Sequence, residues 1–352
     1  MGTVSALVIL AIVAVVVVLI FDFSNGFHDA ANVVATVIAS NAMTPRQAVV
    51  VVGVFEFLGP VLGGTAVANT LGGIVKLSDI DREAALLIVV CGLAGAILWN
   101  LLTWWKGIPS SSSHALVGAL AGVVTVSVGR DHVVWGFSDL IHTGEVHGVT
   151  KVLLALLISP IVGFGFAYVL HRIVRRQLNR ASPGVNVWLR RSQFVTAAGL
   201  AFSHGANDAQ KSMGILTLVL LLGGFIDAFV VPFWVMLVCA SAITVGILSG
   251  GWRIVRTLGF AIFKVRPLHA LDSQLSSTLV VLGASVLGAP VSTTHVVSTS
   301  IMGVGAAERP KYVHWDKARE IALTWVVTIP GSALMAVIIH ALADAGIRLA
   351  VR

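Results

Sequence analysis

Apolar stretches recur along the chain at roughly residues 4–40, 47–70, 84–105, 112–128, 152–172, 193–222, 228–250, 274–288, 292–306 and 320–343. Their length, near the ~20 residues an α-helix needs to cross a bilayer, constrains the fold more than any other feature. Hydrocarbon offers no partner to an open strand edge, so spanning segments are helices or closed barrels. These segments are continuously apolar rather than alternating, which excludes a barrel. Only 11% of residues are charged, against ~25% in soluble domains, so the chain cannot build a solvated surface. The fold class is an all-α polytopic membrane protein with about 10–12 membrane segments. Val4 to Ile20 has no Lys or Arg before it and no small-residue cleavage pattern, so it reads as a span and not as a leader.

The chain also matches itself. "FSNGFHDAAN" (23–32) aligns with "FSHGANDAQK" (202–211) at an offset of 179, and "GGTAVANTLG" (63–72) with "GGWRIVRTLG" (250–259) at 187. "PSSSSH" (109–114) aligns with "PVSTTH" (290–295) at 181, as does Gly122 with Gly303, and "ISP" (158–160) with "TIP" (328–330) at 170. Matches in the same order with drifting offsets indicate a duplicated half. The expected division is a first repeat over 1–172, a basic linker over 173–191 and a second repeat over 192–352.

Basic residues gather at Arg172, Arg175, Arg176, Arg180, Arg190 and Arg191, and again at Arg253, Arg256, Lys264 and Arg266. Such loops mark the cytoplasmic side. They also account for the net charge of +7 without any nucleic-acid partner. The loop 129–151, with Asp131, Asp139 and Glu145 against Arg130 and Lys151, then falls outside, as do both termini. Each half crosses an odd number of times, so the halves are inverted, the arrangement of many secondary transporters. Cys91 and Cys239 lie inside apolar segments and read as packing residues.

Within the first motif, Asp22, Asn25, Asp29 and Asn32 recur at spacings of three and four, which puts them on one helix face. A carboxylate at membrane depth is costly unless paired or coordinated. Carboxylates with amide oxygens form an all-oxygen cage suited to a hard cation, not to a transition metal; hydrogen bonding between helices is the plainer alternative. The second copy keeps Asn207 and Asp208 but carries Lys211 where the first has Asn32. That Lys either neutralises Asp208 or another carboxylate, or snorkels from a helix end. The twin Pro–hydroxyl–His elements carry Ser111, Ser112 and Ser113 in one half and Ser292, Thr293 and Thr294 in the other. Each precedes an apolar helix, and helix N-termini with free N–H groups bind anions. Two such ends facing each other across a pseudo-twofold axis would cradle one tetrahedral oxyanion, with His114 and His295 either donating further bonds or bracing the tips. Glu56 stands alone in its segment, as a coupling-ion ligand, a partner for Lys211 or a member of a structural ion pair.

"FSNGFHDAAN", "FSHGANDAQK" and the twin hydroxyl elements resemble the signature of the inorganic phosphate transporter (PiT) family, over nearly the whole chain. The resemblance implies a cation-coupled phosphate symporter, with inverted repeats, broken helices, paired hydroxyl-rich re-entrant or hairpin tips, and a homodimer. It implies phosphate binding by Asn25, Ser111, Ser112, Ser113, Asn207, Ser292, Thr293 and Thr294. Cations, sodium or protons, fall to Asp22, Asp29, Asn32, Asp208 and Glu56, with Lys211 neutralising charge. No cofactor and no catalytic residue is expected. The expected function is alternating-access symport of inorganic phosphate into the cell with sodium (or protons) across the cytoplasmic membrane. Other readings are another oxyanion, a metal–phosphate complex moving with protons, or, remotely, an intramembrane enzyme with Ser112 or Ser113 as nucleophile and His114 as base. Adjacent helical residues point about 100° apart, which disfavours the last.

Overall fold

The computed structural model describes residues 2–350. Its helices are α1 (Gly2–Ala39), α2 (Pro45–Leu62), α3 (Ala66–Gly72), α4 (Arg82–Lys106), α5 (Ser112–Ser127), α6 (Phe137–His142), α7 (Gly148–Gln177), α8 (Val185–Leu222), α9 (Phe233–Ser249), α10 (Trp252–Arg256), α11 (Pro267–Val286), α12 (Thr293–Glu308) and α13 (Trp315–Ala350). No strand occurs among the described residues. Large apolar side chains such as Ile161, Val195, Val326 and Leu342 lie exposed, while the carboxylates of the motifs are buried. That inversion suits a chain surrounded by lipid, where burial is reserved for polar groups that partner one another.

Packing repeats the internal alignment. α1 packs on α9 as α8 packs on α2, α1 on α4 as α8 on α11, and α3 on α8 as α10 on α1. α5 and α4 pack on α13 as α12 and α11 pack on α7. The crossings are close because they are made by glycine. A Cβ on Gly26 would overlap the carbonyl of Ile243, and one on Gly205 the carbonyl of Glu56. Gly246 meets the backbone of Phe23 and Gly59 that of Phe202 in the same manner. Small residues that let backbones touch are how membrane helices associate without a hydrophobic driving force. The same contacts equate Glu56 with Ile243 across the repeat.

The family resemblance implies broken helices, and the polar motifs at 22–32 and 202–211 are the expected places for the breaks. The structure keeps both motif helices unbroken: α1 and α8 are each 38 residues long. Several of their polar side chains, Asp29, Asn32, Asn207 and Lys211 among them, find partners on other elements, and the backbone ladder stays closed. The breaks lie instead after α2 and α9, at the paired glycines 63–64 and 250–251, and the helix over 253–261 leaves α9 at 63°. The segments over 84–128 and 274–306 form two hairpins. Their second arms, α5 and α12, are 16 residues each, or about 24 Å at ~1.5 Å per residue, short of the ~30 Å hydrocarbon layer. The hairpins enter from opposite ends of α8. Gln193, near its start, donates from Nε2 to Pro267 O (3.2 Å) at the foot of α11. Arg82 at the foot of α4 sits against Gly224, just past its end.

Candidate functional site

The two hairpin tips meet. Gly107 and Gly288, both left-handed at φ +69° and +62°, turn the chain at each tip, a conformation that costs glycine little. Mirrored threonines hold the turns: Thr257 Oγ1 donates to Gly107 O (2.9 Å) and Thr70 Oγ1 to Gly288 O (2.8 Å). Ser111 and Ser292 then act as N-caps, their hydroxyls accepting from the backbone N–H of His114 (3.2 Å) and His295 (3.3 Å). Capping commits one lone pair of each and leaves its O–H free. The ring centroids of His114 and His295 lie 4.7 Å apart, and His295 stacks on Trp325 at 3.8 Å, so both imidazoles wedge the tips together.

The motif helices reach the tips through mirrored pairs. Ser112 Oγ donates to Asp29 Oδ2 (3.4 Å), and its counterpart Thr293 Oγ1 to Asp208 Oδ2 (3.5 Å). Asn32 Nδ2 donates across the axis to Thr294 Oγ1 (2.9 Å), which itself donates to Asp29 Oδ1 (3.2 Å). Lys211 occupies the equivalent place in the other half, donating to Ser113 Oγ and to Val291 O (3.1 Å). Its Nζ is also 2.9 Å from Asp208 Oδ1. Lys211 is 0% exposed, so its ammonium is held inside the bundle beside Asp208 and does not snorkel. Asn207 Nδ2 donates to Ser285 Oγ (3.0 Å) and Ala289 O (3.3 Å), stitching α8 to its own hairpin. All fourteen residues assigned to phosphate, cations or charge neutralisation from the sequence are at most 2% exposed. The site is sealed from both faces.

Two histidines complete it, and neither belongs to the expected set. His204 Nδ1 lies 2.7 Å from Glu56 Oε1, and its Nε2 is 3.9 Å from both Asp29 Oδ2 and Asp208 Oδ2. His28 Nδ1 is 2.6 Å from Asp29 Oδ1, with its Nε2 3.3 Å from Thr103 Oγ1 and Ser110 Oγ. Glu56 thus pairs with His204, not with Lys211. The aligned motifs carry the signal: Asn25 stands opposite His204, and His28 opposite Asn207, so Asn and His are exchanged between copies. Asp22 is buried with neither carboxylate oxygen partnered, and both amide atoms of Asn25 are likewise unpartnered.

Asp22, Asp29, Glu56 and Asp208 are four buried carboxyl groups gathered around one ammonium, that of Lys211. Beside them stand two helix N-termini with hydroxyls in their first turns. The arrangement can hold cations at the carboxylates and an oxyanion at the tips. It cannot run the Ser–His chemistry considered above. Ser113 Oγ donates to Val291 O (3.2 Å), Ser112 donates to Asp29, and His114 Nδ1 has no partner, so no nucleophile–base pair exists.

Inverted helical halves whose opposed hairpin tips enclose a sealed, charged site define a membrane transporter. The sequence profile of the Phosphate transporter family matches this chain twice, at residues 25–187 and 176–336. The chain belongs to that family, and it is a transporter rather than an enzyme. A "Probable low-affinity inorganic phosphate transporter" of Bacillus subtilis (strain 168) is 40% identical over 95% of this chain and 97% of its own length. One of the same description from Rhizobium meliloti (strain 1021) is 40% identical over 94% and 95%. A solved structure described as "The sodium-dependent phosphate transporter" shares the fold, with a TM-score of 0.83, 24% identity, and coverage of 96% of this chain and 99% of that one.

Proposed function

We propose that the protein is a secondary symporter that carries inorganic phosphate into the cell with sodium (or protons) by alternating access. The observation that carries this reading is the meeting of two hydroxyl-bearing helix N-termini and four carboxyl groups in one buried site. Phosphate is an anion entering a low-dielectric space already lined by four carboxyl groups against one ammonium. It binds only if cations or protons enter too, since unit charges a few Å apart interact by several kcal/mol even at an effective dielectric of ~20. Coupling follows from electrostatics.

In this reading Ser112, Ser113, Thr293, Thr294 and the free O–H groups of Ser111 and Ser292 face phosphate, with Asn25 and Asn207 beside them. Asp22, Asp29, Asn32, Glu56 and Asp208 serve the cations, and Lys211 stands in for one of them. The repeats over 1–172 and 192–352 move against each other about the linker 173–191. The Arg-rich end faces the cytoplasm and both termini face outward in the cell membrane. A homodimer, implied by the family resemblance, belongs to the same reading. A second reading, transport of a metal–phosphate complex with protons, is favoured by one observation: ligand atoms of Asp29, His204 and Asp208 lie within 4.8 Å of one another.

Uptake of radiolabelled phosphate into proteoliposomes, under imposed sodium or proton gradients and with or without divalent metal, decides among these. Asp29→Asn and Asp208→Asn should each abolish gradient-driven uptake. Normal uptake by both would overturn the cation assignments, and uptake competed as well by sulfate as by arsenate would overturn phosphate selectivity.

A further inference from the structure

A second convergence of ionisable side chains lies at the Arg-rich end, where α7 meets both arms of the second hairpin. His171 on α7, His269 on α11 and Glu308 at the end of α12 offer ligand atoms that all lie within 4.8 Å of one another. Both histidines are buried, and the Glu308 side chain is 19% exposed. His171 Nδ1 is 2.7 Å from Asp272 Oδ2, while its Nε2 is 3.2 Å from Glu308 Oε2. His269 Nε2 points at the same carboxylate oxygen from 4.0 Å, beyond hydrogen-bond reach. Arg175 holds Glu308 Oε2 from outside at 3.1 Å.

We propose that His171, His269 and Glu308 form a binding site for a transition-type divalent cation such as Zn2+ or Co2+, separate from the transport site. The reasons are geometric and chemical. Ligands ~2.0–2.1 Å from a tetrahedral metal are about 3.3 Å apart, so the His171–Glu308 spacing already fits and His269 has less than a side-chain rotation to close. Asp272 behind His171 gives the carboxylate–imidazole–metal relay that fixes the ring's tautomer and presents Nε2 forward. His269 and Glu308 also line a cavity of about 470 Å³ with Lys264, Arg266, Arg309 and Lys311, which leaves a fourth position open to water or an anion. Those cations disfavour a hard ion held by charge alone, whereas imidazole ligands favour a borderline metal.

The cluster is not imposed by the duplicated scaffold. At the repeat offsets, His171 corresponds to Ala341, His269 to Ile88, Asp272 to Cys91 and Glu308 to Ser127. The first hairpin is built without any of these groups, so the fold does not require them for packing. The bound metal ties α7 to α11 and α12, the arms that carry one half of the transport site.

The full-length protein, purified in detergent and stripped with chelator, is titrated with Co2+ and then with Zn2+. The expected result is one Co2+ per chain with the intense visible bands of four-coordinate cobalt, displaced by Zn2+, and a thermal midpoint raised by Zn2+. His269→Ala and Glu308→Gln should each lose the bands and the Zn2+ shift, while Asp272→Asn should weaken binding about 10–100-fold. Asp208→Asn, which alters only the transport site, should keep both signals. Failure of the wild-type protein to bind stoichiometric Co2+ at micromolar concentration would overturn the proposal. So would binding that survives in His269→Ala and Glu308→Gln but is lost in Asp208→Asn. If a variant elutes as aggregate, zinc-edge X-ray absorption of the wild type decides: a shell with two imidazoles supports the site, and an all-oxygen shell refutes it.

Discussion

Replacing Lys211 with Asn, the residue type that stands in its place in the first repeat, tests the central asymmetry of the site. Lys211 is fully buried and its ammonium is 2.9 Å from Asp208 Oδ1. Removing one partner of a buried ion pair leaves the other charge uncompensated, at a cost of about 3–5 kcal/mol. Ser113 adds little, because its hydroxyl keeps Val291 O as an acceptor. At roughly 2 °C per kcal/mol for a chain at least this large, the thermal midpoint should fall by about 6–10 °C. Sodium should then restore part of it. The Lys211→Asn variant would present an amide beside Asp208 as Asn32 does beside Asp29. Saturating Na+ at ~100 Kd then returns about 2.7 kcal/mol, roughly half to nine-tenths of the loss.

The assay is thermal unfolding in detergent with NaCl against choline chloride at equal ionic strength, for wild type, Lys211→Asn, Asp208→Asn and the double variant. Because the two residues touch, the double variant should lose clearly less than the sum of the singles, with a coupling of about 1–3 kcal/mol. A Lys211→Asn midpoint within about 1 °C of wild type, or a sodium response equal to that of wild type, would refute the claim that the ammonium occupies a cation's seat.

Gly26→Ala and Gly205→Ala each push a Cβ into a neighbouring carbonyl and should cost about 1–3 kcal/mol or more. Gly165→Ala meets open space and should be neutral or stabilising by up to ~1 kcal/mol; thermal midpoints compare the three. Thr257→Val and Thr70→Val each delete one hydrogen bond to a tip carbonyl, worth about 1 kcal/mol. Hydrogen exchange should accelerate at 107–111 in the first variant and at 287–292 in the second, each leaving the other tip unchanged. Ser111→Ala and Ser292→Ala remove the hairpin N-caps and should each cost about 0.5–2 kcal/mol, read from the same melts.

Class, duplication and the polar motifs were legible because each rests on local pattern: apolar runs of bilayer length, a repeated order of short matches, hydroxyls before a helix. The pairing of Lys211 with Asp208 was legible too, since they are three residues apart on one helix. The partner of Glu56 was not. His204 lies 148 positions away, and only the Asn25/His204 exchange in the aligned motifs hinted at a site histidine. The positions of the helix breaks differ from expectation for a related reason. Polar residues in an apolar helix look like a rupture when read locally, but here Asn32, Asp29 and Lys211 are satisfied by Thr294, Ser112 and Ser113 on other elements. The glycine pairs at 63–64 and 250–251 carried the true break signal. The His171, His269 and Glu308 cluster had no motif at all, because three separate helices supply it.

The divergence of the two copies bears directly on coupling under the proposed function. A symmetric site would offer each half a removable cation beside its aspartate. In this chain the second half holds a tethered ammonium at Asp208, and a tethered charge cannot leave with phosphate. It lowers the electrostatic cost of binding the anion in every cycle yet contributes no ion to stoichiometry. The load of coupling therefore falls on carboxylates that lack a fixed positive partner. Asp22 has no ion-pair or hydrogen-bond partner among the described residues, and Glu56 and Asp29 face the neutral-or-cationic imidazoles of His204 and His28 instead of a fixed ammonium. Two of these three, Asp22 and Glu56, have no acidic counterpart in the second repeat: Ala201 stands at the motif offset from Asp22 and Ile243 opposite Glu56. Duplication supplied the hydroxyl-bearing tip twice, whereas the acidic side chains without a fixed positive partner are concentrated around one copy.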